Sequence, residues 1–435
     1  MRKMLQAVLV ALVFFTAFWL SGPGVNNSTL AQPQGLRYWK GNLHTHSLWS
    51  DGNDFPDMIT DWFKKHGYDF LALTEHNILA EGDKWVTVEK GVGAKGKALE
   101  KYLARFGPEQ VEQKMEKGKL QVRLKPLSKV RAMFEEPGKF LMIPAEEITH
   151  KFAKYPIHMN GLNIKETVKP VDGASVRETI QVNLRNLSAQ GKKHAVSTLG
   201  FLNHPNFRES IPAEEILTAT DLKFFEVFNG HPGVRNYGGK DFPSCEQIWD
   251  IALSVRLGKL NLPILYGLAT DDSHEYHDFG AGKTNPGRGW VMVRSEKLEP
   301  ALLLEAMKRG DFYSSTGVIL EDIHQAGDVY RFKIKPEEGV AYRTQFLGTL
   351  KGTPLEGQAA KDKDGKPVQA TGTYSSGIGQ VLAEIEGENP EYKITGKEIY
   401  LRARVVSSKL HKNPFLKGDK EMAWTQPILP LRAGQ

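Results

Sequence analysis

The sequence predicts an α/β fold: βα units around a mostly parallel sheet, with an inserted segment near the start and a small antiparallel β-sandwich at the end. Three features carry that expectation. From Tyr38 to Tyr313, short apolar runs alternate with a polar residue and then a helix-like stretch; Ala80 to Pro137 interrupts the alternation; after about Glu321 the apolar period falls to two.

The chain begins with Arg2 and Lys3, an apolar run from Ala7 to Leu20, and small residues around Ala31. This pattern is expected to be a secretory leader over 1–31, placing the mature protein in the periplasm or outside the cell. The run is short for a membrane span, so no stable membrane insertion is expected after cleavage. No cysteine follows it, which excludes a lipid-anchored cysteine, and the single cysteine, Cys245, excludes an internal disulfide.

Residues 32–320 are expected to form the catalytic domain. Apolar runs such as Phe70–Leu73, Phe140–Ile143 and Ile264–Tyr266 each precede a residue with chemical potential, namely His76, Glu147 and Asp272. Helices are expected at Asp57–His66, Val176–Ala189, Cys245–Leu257 and Pro300–Lys308. Within the insertion, taken as 80–137 and helical, Lys97–Phe106 and Glu109–Lys117 have helical character. The stretch Glu81–Phe140 holds fourteen Lys or Arg against nine Asp or Glu. That excess reads either as a basic lid steering anionic substrates or as a solvated surface. Beyond it, residues 321–435 are expected to form the sandwich, because Tyr330, Phe332 and Ile334 alternate with Arg331, Lys333 and Lys335, and Ile399, Leu401, Ala403 and Val405 alternate with Tyr400, Arg402 and Arg404.

At 435 residues, 40% hydrophobic and 25% charged, the chain has the composition of a globular protein of more than one core. Nine residues of metal-binding type follow one another along it: His44, His46, Asp51, His76, Glu147, His158, His204, Asp272 and His274. Most stand just after an apolar run. In a barrel of βα units the loops after the strands share one rim, so residues distant in sequence converge there. His44 and His46 end a strand on the same side, because strand side chains alternate.

Read together, Gly41-Asn-Leu-His-Thr-His-Ser-Leu-Trp-Ser-Asp-Gly52, Leu73-Thr-Glu-His-Asn77, Ala145-Glu-Glu-Ile-Thr149, His158, Asn203-His-Pro205, Glu226-Val-Phe-Asn229 and Thr270-Asp-Asp-Ser-His274 resemble the PHP family, named for polymerase and histidinol phosphatase. The resemblance implies a distorted seven-stranded (β/α) barrel and two or three divalent ions that hydrolyse a phosphoester. It implies one ion on His44, His46, Glu147 and Asp272, a second on Glu147, His158 and His204, and a third on Asp51, His76 and His274. Glu147, Asp272 and His274 would serve catalysis, with a metal-bridging hydroxide as nucleophile. Glu75 stands where many relatives have Asp, and Ala145 where Gly is common. Glu146 competes with Glu147, and Asp271 with Asp272; the Glu-Ile-Thr and Asp-x-His wording favours the second of each pair.

Zinc, manganese and iron all suit mixed imidazole and carboxylate donors. Arg288, in Gly287-Arg-Gly-Trp290, is a candidate phosphate clamp or a structural ion-pair partner. Asn229 and His231 are candidates for the pocket wall or for turn stabilisation. Gly91–Lys97 matches the spacing of a phosphate-binding loop, but Ala98 stands where a hydroxyl must reach magnesium. The expected substrate is a small anionic phosphoester, a monoester or diester such as a nucleotide or sugar phosphate; no nucleic-acid duplex is expected as a partner. The alternatives are a metal-dependent hydrolase of a carboxylic ester, lactone or amide, and a non-catalytic surface-binding protein.

Overall fold

A computed structural model describes residues 35–430 apart from 241, so the expected leader lies outside the described residues. The first part of the chain forms β1 (Arg37–Asn42), α1 (Pro56–Lys65) and β2 (Phe70–Leu71). The insertion forms β3 (Lys84–Val88), α2 (Gly93–Phe106), β4 (Gln113–Glu116), β5 (Lys119–Leu124) and α3 (Leu127–Phe134). There follow β6 (Leu141–Met142), β7 (Ala145–Phe152), β8 (Tyr155–Leu162), α4 (Val176–Lys193), β9 (Leu199–Leu202), α5 (Ala213–Leu217), β10 (Phe224–Asn229), α6 (Cys245–Gly258), β11 (Tyr266–Thr270), β12 (Trp290–Ser295), α7 (Pro300–Arg309) and β13 (Phe312–Ser315). The remainder is strand: β14 (Leu320–Ala326), β15 (Val329–Ile334), β16 (Tyr342–Leu350), β17 (Gln380–Glu386), β18 (Glu391–Lys393), β19 (Glu398–Leu410) and β20 (Lys420–Thr425). Among the described residues no helix is long and apolar enough to cross a membrane.

Local chemistry explains the helices. Pro56 and Pro300 occupy the first turns of α1 and α7, where a missing N–H costs nothing. Ser175 caps α4 by accepting from Glu178 N, and Ser244 with Gln247 forms a reciprocal capping box on α6. The four helices expected outside the insertion are all present.

The insertion differs from expectation. Glu109–Lys117 is not a helix but a three-residue 3-10 turn followed by β4. Gly107, at φ +83, ends α2, and Lys117 and Gly118, at φ +51 and +75, make the kind of two-residue turn that suits a hairpin. The insertion is therefore a mixed α/β unit whose three strands pair in the order β3-β5-β4. Three of its basic residues hold it to α1 and its entry loop: Lys101 meets Asp54, Lys125 meets Asp57 and Arg105 meets Asp61. Those three charges serve attachment.

The sheets are mixed where a mostly parallel arrangement was expected. One sheet runs β17-β16-β19-β20-β13-β12-β1-β2-β6 and another β11-β10-β9-β8-β7. The pairs β1·β2, β2·β6, β9·β10 and β10·β11 are parallel, while β7·β8, β8·β9, β1·β12 and β12·β13 are antiparallel. The tight connection between β7 and β8, with Ala153 at φ +51, leaves no room for a crossover, so those two strands must run antiparallel. Parallel bridges at Thr45–Ser273 and His76–Glu147 join the two sheets at the rim. Beneath the rim one apolar cluster draws Leu43, Phe70, Ile143, Leu162, Phe201, Phe224 and Leu268 from both sheets.

The strands after residue 320 continue the first sheet, because β20 pairs with β13. β14, β15 and β18 form a separate antiparallel layer whose Tyr330, Phe332 and Tyr392 pack on Phe346 of β16. Two members of the alternating polar face of β19 do not meet water: Tyr400 and Arg402 are fully buried against α6, while Arg404 stays partly exposed. Arg402 makes a two-pronged pair with Asp250, at 2.7 and 2.6 Å, and reaches Glu246 at 3.0 Å. This buried fork joins the C-terminal strands to the part of the chain that carries the site.

Candidate metal centre

All nine expected donors converge at the rim. His44 and His46 lie just beyond β1, Asp51 in the following turn and His76 after β2; Glu147 and His158 meet diagonally across β7 and β8; His204 follows β9, and Asp272 and His274 follow β11. Their donor atoms fall into four overlapping groups, each within 4.8 Å: His46, Asp51, His76 and His274; His44, His46 and Glu147; His44, His204 and Asp272; and Glu147, His158 and His204. Sharing of His44, His46, Glu147 and His204 between groups means that ions held there would be neighbours.

The geometry resolves both sequence ambiguities. Glu147 lies 2.9 Å from His76 Nδ1, 3.0 Å from His158 Nδ1 and 3.3 Å from His46 Nε2. Glu146 points away, accepting a hydrogen bond from Val168 N, and burial pushes its carboxyl up to about 8. Asp272 lies 3.2 Å from His44 Nε2 and 3.3 Å from His46 Nε2. Asp271 instead accepts from the backbone N–H groups of Gly287, Arg288 and Gly289.

The tautomers of three imidazoles follow from acceptors that have no proton to give. His44 Nδ1 donates to Glu226 at 2.7 Å, and His274 Nδ1 donates to the Asp272 carbonyl at 2.9 Å. His46 Nδ1 lies 3.3 Å from Ser50 Oγ, whose own proton goes to Glu75. Each Nε2 is then left with a lone pair facing the cluster. The consequence is visible in the packing: His44 Nε2, His46 Nε2 and Glu147 Oε2 are buried polar atoms with no hydrogen-bond partner. Buried polar groups are rarely left this way, and a cation supplies what they lack. The donor set therefore fits divalent metal.

Charge in the cluster is organised accordingly. Burial disfavours charge on Glu147, but His158, His44 and His76 outweigh it and hold the carboxyl well below the usual range. Burial likewise opposes, and His44, His46 and His274 overcome, the cost of charge on Asp272. His76 is lifted to about 10: Glu147 and Asp51 exceed the effect of burial. His46 is pressed down to about 3 by burial and by His274. Asp272 and His204 occupy left-handed backbone, at φ +48 and +22. Asp272 N bonded to the His44 carbonyl, and His204 N bonded to Glu226, hold them there.

Four supporting residues carry no role in the sequence reading. Glu226 accepts from His44 Nδ1, Thr270 Oγ1, His204 N and Asn229 Nδ2. Asn203 donates to Glu147 at 2.8 Å. Glu75 binds Ser47 N and Ser47 Oγ, and with Ser50 fixes the turn that carries Asp51. Gly52 closes that turn where a Cβ would lie 2.4 Å from the His46 carbonyl. The legible signal for Glu226 is a lone carboxylate inside the otherwise uncharged run Phe224–Asn229, all of it buried.

Arg288 does not join the cluster, contrary to the clamp expectation. Its guanidinium donates to the carbonyls of Gly230, Lys283, Gly280 and Asn413, leaving it committed to tying loops together. Its backbone N–H completes the cradle around Asp271. Arg288 is a scaffold residue.

Three solved structures are distantly similar to the chain. A two-domain protein from Bacteroides vulgatus, described as containing a predicted PHP-like metal-dependent phosphoesterase, is 15% identical over 91% of this chain and 96% of its own, with a TM-score of 0.39. A protein from Bifidobacterium adolescentis, described by inference as a metal-dependent phosphoesterase, is 12% identical over 62% of this chain and 94% of its own, at 0.31. An amidohydrolase from Chromobacterium violaceum, solved with sulfate and no metal, is 16% identical over 55% of this chain and 88% of its own, at 0.27. No family model and no curated protein matches the chain. At these scores the likenesses decide nothing about the chemistry, which rests on the donor geometry.

The pocket over the donors has a volume of about 180 Å³ and is lined by seven of them, together with Phe207 and His231. His231 accepts a hydrogen bond from Gly233 N at Nδ1, at 2.9 Å. Burial, reinforced by His274, His204 and His44 against Asp272, presses its pKa down to about 4.

Proposed function

We propose that the chain is a metal-dependent hydrolase of small phosphoesters. The observation that carries this reading is the convergence of His44 Nε2 and His46 Nε2, buried with no hydrogen-bond partner, and of Glu147 on a cluster that shares donors between adjacent groups. We read the two bridged sheets as a distorted seven-stranded barrel presenting that cluster at its rim. His44, His46, Glu147 and Asp272 would hold one ion; Glu147, His158 and His204 a second; Asp51, His76 and His274 a third. Bound there, zinc, manganese or iron would lower the pKa of water from about 15.7 to about 7 and so supply hydroxide at neutral pH.

The protein's part is to hold donors ready. Glu226, the Asp272 carbonyl and the Ser50–Glu75 relay hold the Nδ1 side of three imidazoles so that each Nε2 points inward. Against the effect of burial, the surrounding carboxylates raise the pKa of His44 and His274, so an ion would bind those two by displacing a proton. Glu147 and Asp272 stay ionised even when buried. A pocket of about 180 Å³ has room for ions and one phosphoryl group. The organic part of the substrate would lie at the mouth. We also read the protein as exported to the periplasm or beyond.

The test is elemental analysis of protein purified without chelator, then parallel turnover assays on phosphomonoesters, phosphodiesters, carboxylic esters, lactones and amides. Metal at two or three equivalents with phosphoester turnover is the expected result. Turnover confined to carbonyl substrates would replace the reading.

A further inference from the structure

We propose that His231 contacts the substrate, donating its Nε2–H to the ester oxygen on the leaving-group side of the phosphoryl group; this rests on the phosphoester reading above. Of the nine residues lining the pocket, only Phe207 and His231 are outside the donor set. Gly233 N occupies Nδ1, and an N–H can only donate, so the proton of a neutral His231 ring sits on Nε2. Among the described residues no group receives that proton, and Nε2 is not among the sealed-off buried atoms. The pocket is where it can be used.

The ring's placement is over-determined. His231 N donates to Asn229 Oδ1, and the ring meets Phe207 edge-on at 5.7 Å and His274 at 5.7 Å. Phe207 and Val234 form an isolated bridge that ties this loop to the one after His204. Gly233 lies so close beneath both rings that a Cβ would fall 2.8 Å from Phe207 and 3.0 Å from His231. A loop fixed this firmly around a spare donor is a built site.

The direction follows from in-line displacement. Attack comes from the buried donors on the floor, so the departing oxygen must lie opposite, toward the mouth. We place the half-buried His231 on that side. The reaction it assists forms a bond from hydroxide oxygen to phosphorus and breaks the bond from phosphorus to the alcohol oxygen. The released electron pair stays on the alcohol oxygen, which takes its proton from water; His231 keeps its own and stabilises the growing charge.

The experiment compares metal-loaded wild type with His231→Ala and His231→Gln, the latter restoring an N–H at similar reach, with metal content measured in each. Binding is read calorimetrically with inorganic phosphate and with methylphosphonate, at a pH where both are dianions. Phosphate has the fourth oxygen that methylphosphonate lacks. The expected result is that wild type prefers phosphate by about tenfold or more, that His231→Ala erases the preference, and that His231→Gln restores most of it. In turnover, His231→Ala should lose about a hundredfold on an alkyl phosphate and far less on a nitrophenyl phosphate, whose leaving oxygen needs little help.

An unchanged phosphate preference in His231→Ala at wild-type metal content overturns the inference. So does an equal loss on both esters. If wild type turns over no phosphoester, the functional reading fails by that result, while the phosphate comparison still decides the role of His231.

Discussion

Glu226→Gln exchanges one carboxylate oxygen for an NH₂ and leaves the volume of the side chain unchanged. In the native protein Oε1 accepts from His44 Nδ1 and Thr270 Oγ1, both at 2.7 Å, while Oε2 accepts from His204 N at 2.8 Å and Asn229 Nδ2 at 2.7 Å. All four partners donate. An amide placed with its NH₂ at Oε2 would face the His204 backbone N–H, which cannot turn acceptor, and the Asn229 amide, which can do so only by flipping away from Asp272 and His231 N. Flipped, it would face His44 and Thr270, and only this orientation can be relieved: the hydroxyl rotates and the imidazole proton moves to His44 Nε2. That atom is one of the partnerless ones in the cluster. A proton there blocks it as a metal donor, so the variant must either bear a mismatched hydrogen bond or spend free energy returning the tautomer on binding. Loss of such a support typically weakens metal by about 10- to 100-fold, or about 1.4–2.7 kcal/mol. Chelator-stripped wild type and variant would be titrated with the metal found in the native protein, with urea unfolding of both apo forms confirming the fold. Wild-type affinity in Glu226→Gln would refute the tautomer argument.

Glu147→Gln should abolish most metal binding, whereas Glu146→Gln should leave metal content unchanged, because only the first faces the imidazoles; equal metal loss in elemental analysis would contradict the assignment. Asp51→Asn should lower the metal content by about one ion per chain and spare the rest, since Asp51 belongs only to the outermost donor group; a complete loss would show that the groups bind as a single unit. Arg402→Ala strands Asp250 and Glu246 in a buried setting and should cost about 3–5 kcal/mol in denaturant unfolding; a cost under about 1 kcal/mol would mean the fork does not hold the C-terminal strands. For pH, burial opposes charge on Glu246, but Arg402 and Arg404 prevail and hold its carboxyl below 4.5. A depressed folded-state value means the stabilisation is full above about 4.5 and lost as pH falls through the folded value. The stability gap between wild type and Glu246→Gln should therefore be widest near neutrality and close in acid; a gap that grows on acidification has the wrong sign.

Much of the site is legible in one dimension because its chemistry depends on residue type. Imidazoles and carboxylates after apolar runs mark strand ends, and an ordered series of them marks a shared rim. The fold is legible for similar reasons wherever local forces rule: prolines in first turns, serine caps, and the period-two pattern of β15. Where two neighbours carry the same chemistry, as with Glu146 and Glu147 or Asp271 and Asp272, residue type cannot separate them. The alternation of strand side chains turns one of the first pair inward, and Asp272's left-handed backbone beside the N–H cradle of Asp271 separates the second. Arg288 shows the converse. Its side chain suits a phosphate, yet four carbonyls, two from its own loop and two from distant ones, claim its donors first. The insertion misleads because Lys117–Gly118 closes a hairpin through backbone conformation, which outweighs the helical character of the flanking residues.

Residue chemistry and periodicity thus announce the α/β core, the strand-rich tail and the inventory of metal donors, since each depends on properties carried by short stretches of chain. Folding in three dimensions settles which donors face one another, that Glu226 holds the His44 ring, that the tail's strands extend the first sheet, and that His231 has a proton with no acceptor among the described residues. Those facts are relations between residues 182 positions apart, as with His44 and Glu226, and farther still, as with His44 and Asp272. Direction and distance across that gap are set by packing, and no local propensity encodes them.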